Sequence, residues 1–530
     1  MQVEDKVKIL AINEDNLKDN ENLIQIEYEN AIKEMGLNGK YQNIVFWIIA
    51  LSSFICGLMI ASFPVEKEMP NYVCINRYEF EDFKEFSIYK NNPQFKIIES
   101  EECVEKFCKE PLQVIVAEYG EIRNFITMLD TMCSVDKFSG DLTKRLFLGR
   151  IVAIFFTSYL SDNIGRKITI HILLVLVLVT NTGFFFFRYT SAYLTLSFFA
   201  NMSMQLFNIN TVYSVEIMSD DLYSALSGAM GLSHVITGMS GIILMFLFKD
   251  FIVLLCIHLV FDVVIIYYAF VYLVETPKFC LYQKNYTQLK ESITFIAKIN
   301  GTYDTKVEPI FKKIDAIGEN KQNTTHPAES KEEFHIVRKI NYFVSSVFSP
   351  YIKIFSRKKE LFDLGFLFFP FATVFFVYYG QLMFIERLPG NAQVNAFLIF
   401  FSELFSPNIA GYMLKKMKRR TIYAGVFIIS IILCSVLTVM KNGIIVGILV
   451  ALNAFFISMN FIVQYVIAAE LFDCSIKTSA MGILILLSNL FMVPGDFLLG
   501  LFSSPFYFFI IILVISVLCI TQIRETKNDS

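Results

Sequence analysis

Leu160-Ser161-Asp162-Asn163-Ile164-Gly165-Arg166-Lys167-Ile168-Thr169-Ile170-His171-Ile172-Leu173-Leu174-Val175-Leu176-Val177-Leu178-Val179 is the stretch that decides the fold. A charged turn opens directly into an apolar run that continues to about Phe187, close to the roughly 20 residues a helix needs to cross a bilayer. A second apolar run ends at Leu160, just before the turn. Two spans therefore meet at a short link carrying Arg166 and Lys167, and short basic links lie on the cytoplasmic side. The same device returns at Lys415, Lys416, Lys418, Arg419 and Arg420.

Working outward from these links, twelve apolar runs can be read. The first is about Asn43–Pro64; a long polar loop then separates it from the run ending at Leu160. Runs at about Ile168–Phe187, Ala192–Val215, Leu222–Phe248 and Phe251–Leu273 complete six. A charged stretch follows, and then Leu361–Phe384, Val394–Leu414, Ile422–Met440, Ile444–Ala469, Ala480–Phe502 and Phe506–Ile523. The expected organisation is a tail over 1–42, a six-helix half over 43–275 with an extracellular loop at 65–137, and a middle loop over 276–359. A second six-helix half over 360–525 and a short tail over 526–530 complete it. Both tails and the middle loop are expected to be cytoplasmic. Within the middle loop, Gln288–Ile299 reads as an amphipathic helix stopped by Asn300-Gly301, whereas Gly318–Glu333 is polar and expected to be disordered.

Composition agrees with this reading. Of 530 residues, 55% are hydrophobic and 18% charged, with a net charge of −3, whereas soluble domains carry about 25% charged residues. That excludes a soluble enzyme, a disordered chain and a nucleic-acid binder with a basic footprint. No HExxH, GxSxG or phosphate-loop pattern occurs, and no His or Cys group has metal-ligand spacing, so neither cofactor nor metal is expected. The expected partners are the bilayer and a small solute. Cys74, Cys103, Cys108 and Cys133 share the polar loop after the first span, which points to disulfides on an oxidising side; three pairings are open.

The loop chemistry repeats. Asp162 and Arg166 follow the second run, Glu216 the fourth and Glu275 the sixth. Lys415 and Arg419 follow the eighth run, Glu470 the tenth and Glu525 the twelfth. Arg166 and Arg419 are 253 residues apart, Glu216 and Glu470 are 254 apart, and Glu275 and Glu525 are 250 apart. Two parallel halves with matched charges at corresponding helix ends are the pattern of alternating-access carriers. These eight residues are candidate elements of a cytoplasmic gate, pairing when the halves close there; the competing reading is a topology signal alone.

Several of these stretches resemble known motifs. Leu160–Lys167 resembles the helix 2–3 signature of the major facilitator superfamily. Asp130 with Cys133, Glu275-Thr276-Pro277-Lys278-Phe279, Ala297–Gly301, Tyr378-Tyr379-Gly380, Glu403 and Glu470-Leu471-Phe472 resemble motifs of its organic cation, anion and carnitine transporter family. The resemblance runs through nearly the whole chain and implies an all-α fold of twelve membrane helices in two pseudo-repeats. It has departures. Asn163 stands where a basic residue is usual and Lys415 where an Asp is expected. Asn489 stands where the cation class has an aspartate and the anion class an arginine.

Polar residues deep in apolar helices face bundle interiors or wet cavities. Gln205 and Asn208 on helix 4, Tyr378, Tyr379 and Gln381 on helix 7, and Glu403 on helix 8 are therefore candidate substrate contacts. Asn460 and Gln464 on helix 10 and Asn489 and Asp496 on helix 11 join them, and Arg150 on helix 2 is the candidate for an anionic group. For the amides, interhelical hydrogen bonding is an equal alternative; for Glu403, pairing with Arg150 is the competing role. The expected function is secondary transport of small organic ions, tilted toward cations or zwitterions. A sugar or polyol carrier and a receptor-like protein that does not transport are the alternatives.

Overall fold

The computed structural model describes residues 23–61, 72–75, 108, 114–117, 124–129, 131–322, 358–385, 388–389, 392–472, 477–502 and 504–525. Its first half contains α1 (Lys40–Ala61), α2 (Val135–Asn163), α3 (Arg166–Phe186), α4 (Thr190–Met202 continued by Leu206–Ile217), α5 (Asp220–Phe248) and α6 (Phe251–Tyr272). Its second half contains α7 (Lys358–Met383), α8 (Ala392–Glu403 continued by Ser406–Lys416) and α9 (Arg419–Leu437). These are followed by α10 (Gly443–Leu471), α11 (Lys477–Met492 continued by Gly495–Gly500) and α12 (Pro505–Gln522). Among the described residues, eight of these helices, α3, α5 to α10 and α12, are long and apolar enough to cross a membrane by length and composition alone. Of the others, α2 carries charges, and α4 and α11 are interrupted. In the loop after α1, β1 (Tyr72–Ile75) and β2 (Val114–Ala117) form an antiparallel ribbon with Tyr72 opposite Ala117.

Helices 4, 8 and 11 were expected to be unbroken, and each is interrupted. Two of the breaks have prolines as their cause. Pro407 has no N–H to give the carbonyl of Glu403, so Ser406 Oγ takes that carbonyl at 3.1 Å and bonds Ser458 Oγ at 2.9 Å. Pro494 likewise leaves the carbonyl of Leu490 to Val493 N at 3.3 Å, and α11 restarts at Gly495. In α4 the interruption is a tighter turn over Ser203–Gln205.

The packing repeats as the sequence does. In the first half α1 packs on α5, α2 on α4 and α3 on α6; in the second α7 packs on α11, α8 on α10 and α9 on α12. Between halves the contacts are α2 with α11 and α5 with α8, which are themselves equivalent under the repeat. The buried apolar residues form two cores. One holds the second half together with the loop-side ends of the first, from Phe138 and Phe147 to Val235 and Phe251. The other lies at the charged-link end of the first half and contains no residue of α7 to α12. The halves thus share a core on the loop side and are separate on the charged-link side.

That second core also corrects the expected polar tail. Residues 23–34 are helical and pack on the middle segment, where Tyr28 stacks on Tyr286 at 5.3 Å and Glu34 pairs with Lys306 at 3.0 Å. The helix Tyr286–Asn300 stops at Gly301, as the Asn-Gly signal implies. Asn300 is the clasp: its Nδ2 donates to the carbonyls of Met35 and Gly36, and its Oδ1 accepts from Tyr41 N at 2.9 Å. Gly39 passes so close that a Cβ there would sit 2.1 Å from Asn300 Oδ1. A further helix, Glu308–Gln322, runs into the first residues of the stretch expected to be disordered, because Phe311 and Ile314 bury one of its faces; residues 323–333 lie outside the described residues.

Of the four loop cysteines, Cys108 and Cys133 form a disulfide with Cα atoms 5.5 Å apart. Cys103 and the side chain of Cys74 lie outside the described residues. Maleimide labelling of the solubilised protein followed by peptide mapping checks the pairing. Cys108 and Cys133 should stay unlabelled until a reductant is added, and then react together; labelling of either without reductant contradicts it.

Candidate functional site

The charged helix ends form two matched clusters. In the first half the Glu275 carboxylate seats on the N-terminus of α3, accepting from Arg166 N at 2.8 Å and Lys167 N at 3.2 Å. A helix N-terminus presents unpaired N–H groups and a partial positive charge, so an anion there is stabilised. Burial pushes the Glu275 carboxyl above its ordinary value, and the amides of Thr276, Arg166 and Lys167 together with the Arg166 guanidinium pull it back. Arg166 pairs with Glu216 at 3.2 Å, donates to the Ser161 carbonyl at 2.8 Å and lies 4.5 Å over the Phe279 ring. Thr276 Oγ1 donates to the other oxygen of Glu216.

The second half repeats the carboxylate seat and the arginine contacts. Glu525 accepts from Arg419 N at 2.9 Å and Arg420 N at 3.2 Å at the start of α9. Arg419 pairs with Glu470 at 3.1 Å and donates to the Leu414 carbonyl, five residues before it, as Arg166 does to Ser161. The candidate gate residues Arg166, Glu216 and Glu275 are therefore brought together, and so are Arg419, Glu470 and Glu525. Each set lies within its own half: the expected pairing between halves is absent among the described residues in this state, since the two charged-link ends share no core. The side chains of Asp162 and Lys415 lie outside the described residues. Thr276 and Phe279 were read from the sequence only as part of the Glu275–Phe279 motif and not as members of this cluster; a hydroxyl and a ring in a short linker carry no periodic signal.

Away from the charged links, four candidates converge. Glu403 ends the first segment of α8, is 3% exposed and accepts from Tyr378 Oη at 3.2 Å, while its Oε1 has no partner among the described residues. Tyr379, the next residue of α7, accepts from Arg150 Nη1 at 3.2 Å, with the guanidinium 5.4 Å from its ring. The two tyrosine rings meet edge to face at 5.1 Å. Arg150 and Glu403 thus form no direct ion pair; each is held by one of two adjacent tyrosines. Gln381, one turn further, is 2% exposed with both amide atoms unpartnered among the described residues.

The other amides divide. Asn460 donates to the Tyr423 carbonyl at 3.2 Å, and Gln464 accepts from Tyr423 Oη at 3.4 Å, so this pair ties α10 to α9. Asn208 donates to Gln205 at 2.6 Å across the turn in α4. Asn489 donates to the Ile485 carbonyl of its own helix at 2.7 Å, leaving its Oδ1 buried and unpartnered among the described residues. Asp496 sits in the short segment after the α11 break, with its side chain outside the described residues. A buried pair not read from the sequence joins α3 to α6, with Asn181 Nδ2 donating to Asp262 at 2.7 Å. An acid inside the apolar run Phe251–Tyr272 was the available signal.

The geometry defines a membrane-spanning protein of two similar six-helix halves with polar groups enclosed between them. No family model matches the chain. Organic cation transporter 1 of Caenorhabditis elegans is 22% identical over 387 residues, which cover 71% of this chain and 62% of that protein. The match thus spans less than two thirds of the relative's length. Among solved structures, the xylose transporter XylE from E. coli in an inward-open conformation superposes with a TM-score of 0.57 at 10% identity, over 92% of this chain and 97% of XylE. The human organic anion transporter MFSD10 superposes with a TM-score of 0.52 at 12% identity, over 91% and 98%. The fold is thus the one seen in XylE, a transporter of the major facilitator superfamily.

Gly165 tests the first cluster. Its φ of +120° with ψ of 160° is open essentially to glycine alone, and a Cβ there would lie 2.1 Å from Glu275 Oε2. Gly165→Ala should destabilise the protein by roughly 1–3 kcal/mol, seen as a lower unfolding temperature in detergent. An unchanged temperature contradicts the seat.

Proposed function

We propose that the protein is a secondary transporter of small organic ions, cationic or zwitterionic, that works by alternating access. The observation that carries this reading is Glu403, a buried carboxylate at the break of α8 with one oxygen unpartnered among the described residues and aromatic hydroxyls beside it. A charge held at the centre of a bilayer costs about 2.5–3.5 kcal/mol on insertion scales, so such a group marks a place where a partner or water reaches it. A cationic nitrogen would meet both the carboxylate and the faces of Tyr378 and Tyr379. The likeness to an organic cation transporter supports the same class. Gln381 and Asn489, with buried polar atoms unpartnered among the described residues, are further substrate contacts in this reading, and Asp496 a second acid. Asn460, Gln464, Gln205 and Asn208 line or brace the same space.

The two charged clusters serve as the two sides of the cytoplasmic gate. Each is assembled inside its half and moves with it; closure brings the sides together. The membrane is the plasma membrane with both termini inside, and the driving force is the substrate gradient or the membrane potential.

Uptake of labelled organic cations, anions and hexoses into proteoliposomes tests the class. Cations or zwitterions should accumulate, and Glu403→Gln should lower that uptake roughly 10- to 100-fold, the loss of one hydrogen-bonded charge contact, while the protein still reaches the membrane. Uptake of hexose alone, or normal uptake by Glu403→Gln, refutes the reading. Arg166→Ala should lower turnover severalfold with KM near the wild-type value, because it alters the equilibrium between states and not the pocket. A raised KM with normal turnover speaks against the gate.

A further inference from the structure

Arg150 and Glu403 are related by the same 253-residue offset that relates Arg166 to Arg419. One buried position of the repeat therefore holds a cation on α2 in the first half and an acid on α8 in the second, and both are at most 7% exposed. Among the described residues neither forms an ion pair. Between them stand two consecutive residues of one helix, Tyr379 accepting from Arg150 and Tyr378 donating to Glu403. The bond from Arg150 to Tyr379 crosses from one half to the other, and Phe147 of α2 packs on the same ring at 6.0 Å. It lies in the core that the two halves share on the loop side.

We infer that Arg150 is a positioning residue that works through Tyr379 and Tyr378 on Glu403, so that the four side chains form one coupling element between the state of the acid and the closure of the halves on the loop side. The inference rests on the reading of Glu403 as the acid that receives substrate. Its physical content is a competition. In the described state the Tyr378 hydroxyl occupies one oxygen of Glu403, and the Tyr379 hydroxyl is the cross-half acceptor for a buried guanidinium. A cation arriving at Glu403 competes with the Tyr378 hydroxyl. Because the two rings are in edge-to-face contact, displacement of one disturbs the other and loosens the bond to Arg150. Charge-assisted hydrogen bonds are the stronger ones, and they weaken steeply with misalignment.

The first test needs no substrate. Spin labels at Ile164→Cys and Lys416→Cys, with the exposed Cys256 replaced by Ser, report the separation of the halves on the charged-link side. Tyr379→Phe, which keeps the ring, and Arg150→Met should each shift the ratio of long to short distances about tenfold toward short, as expected for the loss of one such bond. The double variant should shift no further than either single one, and Arg150→Lys should restore most of the wild-type ratio. Unchanged distances in both single variants, or shifts that add in the double variant, overturn the inference. The second test is uptake of labelled tetraethylammonium. Tyr379→Phe should change turnover with KM near wild type if the element couples and does not bind. Failure of every organic ion to accumulate in the wild type, with the distance shifts present, refutes the proposed substrate class and leaves the lock between halves standing. Normal uptake with distances unmoved has the opposite meaning.

Discussion

A carboxylate seated on a helix N-terminus organises each half of this protein. Glu275 closes the first turn of α3 and Glu525 the first turn of α9, each accepting two backbone amides that have no partner within their own helix. The seat fixes where α6 and α12 end. It also fixes where the arginine at the start of the next helix must point. Arg166 and Arg419 turn back to a carbonyl five residues earlier and across to Glu216 and Glu470, which anchors the end of α4 and of α10. Three helix ends in each half are thereby tied to one point. Single ion pairs at a surface contribute about 0–1 kcal/mol. Here the acids also satisfy backbone donors, and the glycine at 165 holds a conformation that other residues avoid. Each cluster is consequently assembled within its own half.

That constraint was legible in the sequence because charges are conspicuous among apolar runs and recur at nearly constant offsets. Arg166, Glu216 and Glu275, with their counterparts in the second half, could be read as sets, and the membrane helices could be counted. What could not be read was which members touch. Offsets locate residues along the chain but carry no information on whether Arg166 reaches Glu216 of its own half or a residue of the other. Breaks in helices were also hidden. Pro407 and Pro494 lie within apolar runs that hydropathy joins into one span, although a missing N–H interrupts the backbone ladder at each. The helix at 23–34 was masked by its polar character, since its buried face becomes apolar enough only against Tyr286 and Phe311.

The amides illustrate a subtler limit. From spacing alone, Asn460, Gln464 and Asn489 all share faces of helices, and lining a cavity or bracing a neighbour were equal alternatives. The distances show which atom of each is engaged, and by which helix. Asn460 and Gln464 both meet Tyr423, whose ring is fully buried against Phe427, so the Asn460 donor and the Gln464 acceptor hold α9 to α10, while Asn460 Oδ1 and Gln464 Nε2 have no partner among the described residues. Asn489 spends its donor on its own helix and keeps an acceptor free among the described residues. Satisfied amides stabilise the bundle, whereas a buried polar atom left unmatched costs about 1–3 kcal/mol. Such a cost persists where something else supplies the missing partner.

Two of the helix breaks adjoin the two candidate acids. The interruption of α8 comes directly after Glu403, and that of α11 directly before Asp496. A continuous helix would bond the Glu403 carbonyl to residue 407 and hold the acid on a straight rod. The proline frees that carbonyl for Ser406, and the serine in turn bonds Ser458 of α10. Glu403 therefore sits at a joint between two segments that both pack on α10, the outer one also meeting α5 of the other half. α5 meets α8 on its outer segment, where a Cβ at Gly238 would lie 2.5 Å from the Phe400 ring. A joint whose outer arm is packed on the opposite half and whose inner arm runs to the Arg419 cluster can transmit rotation of one half to the acid. The close contact at Gly238 and Phe400 ties the outer arm to the other half in this state, whereas the inner arm leads to the charged corner of its own half.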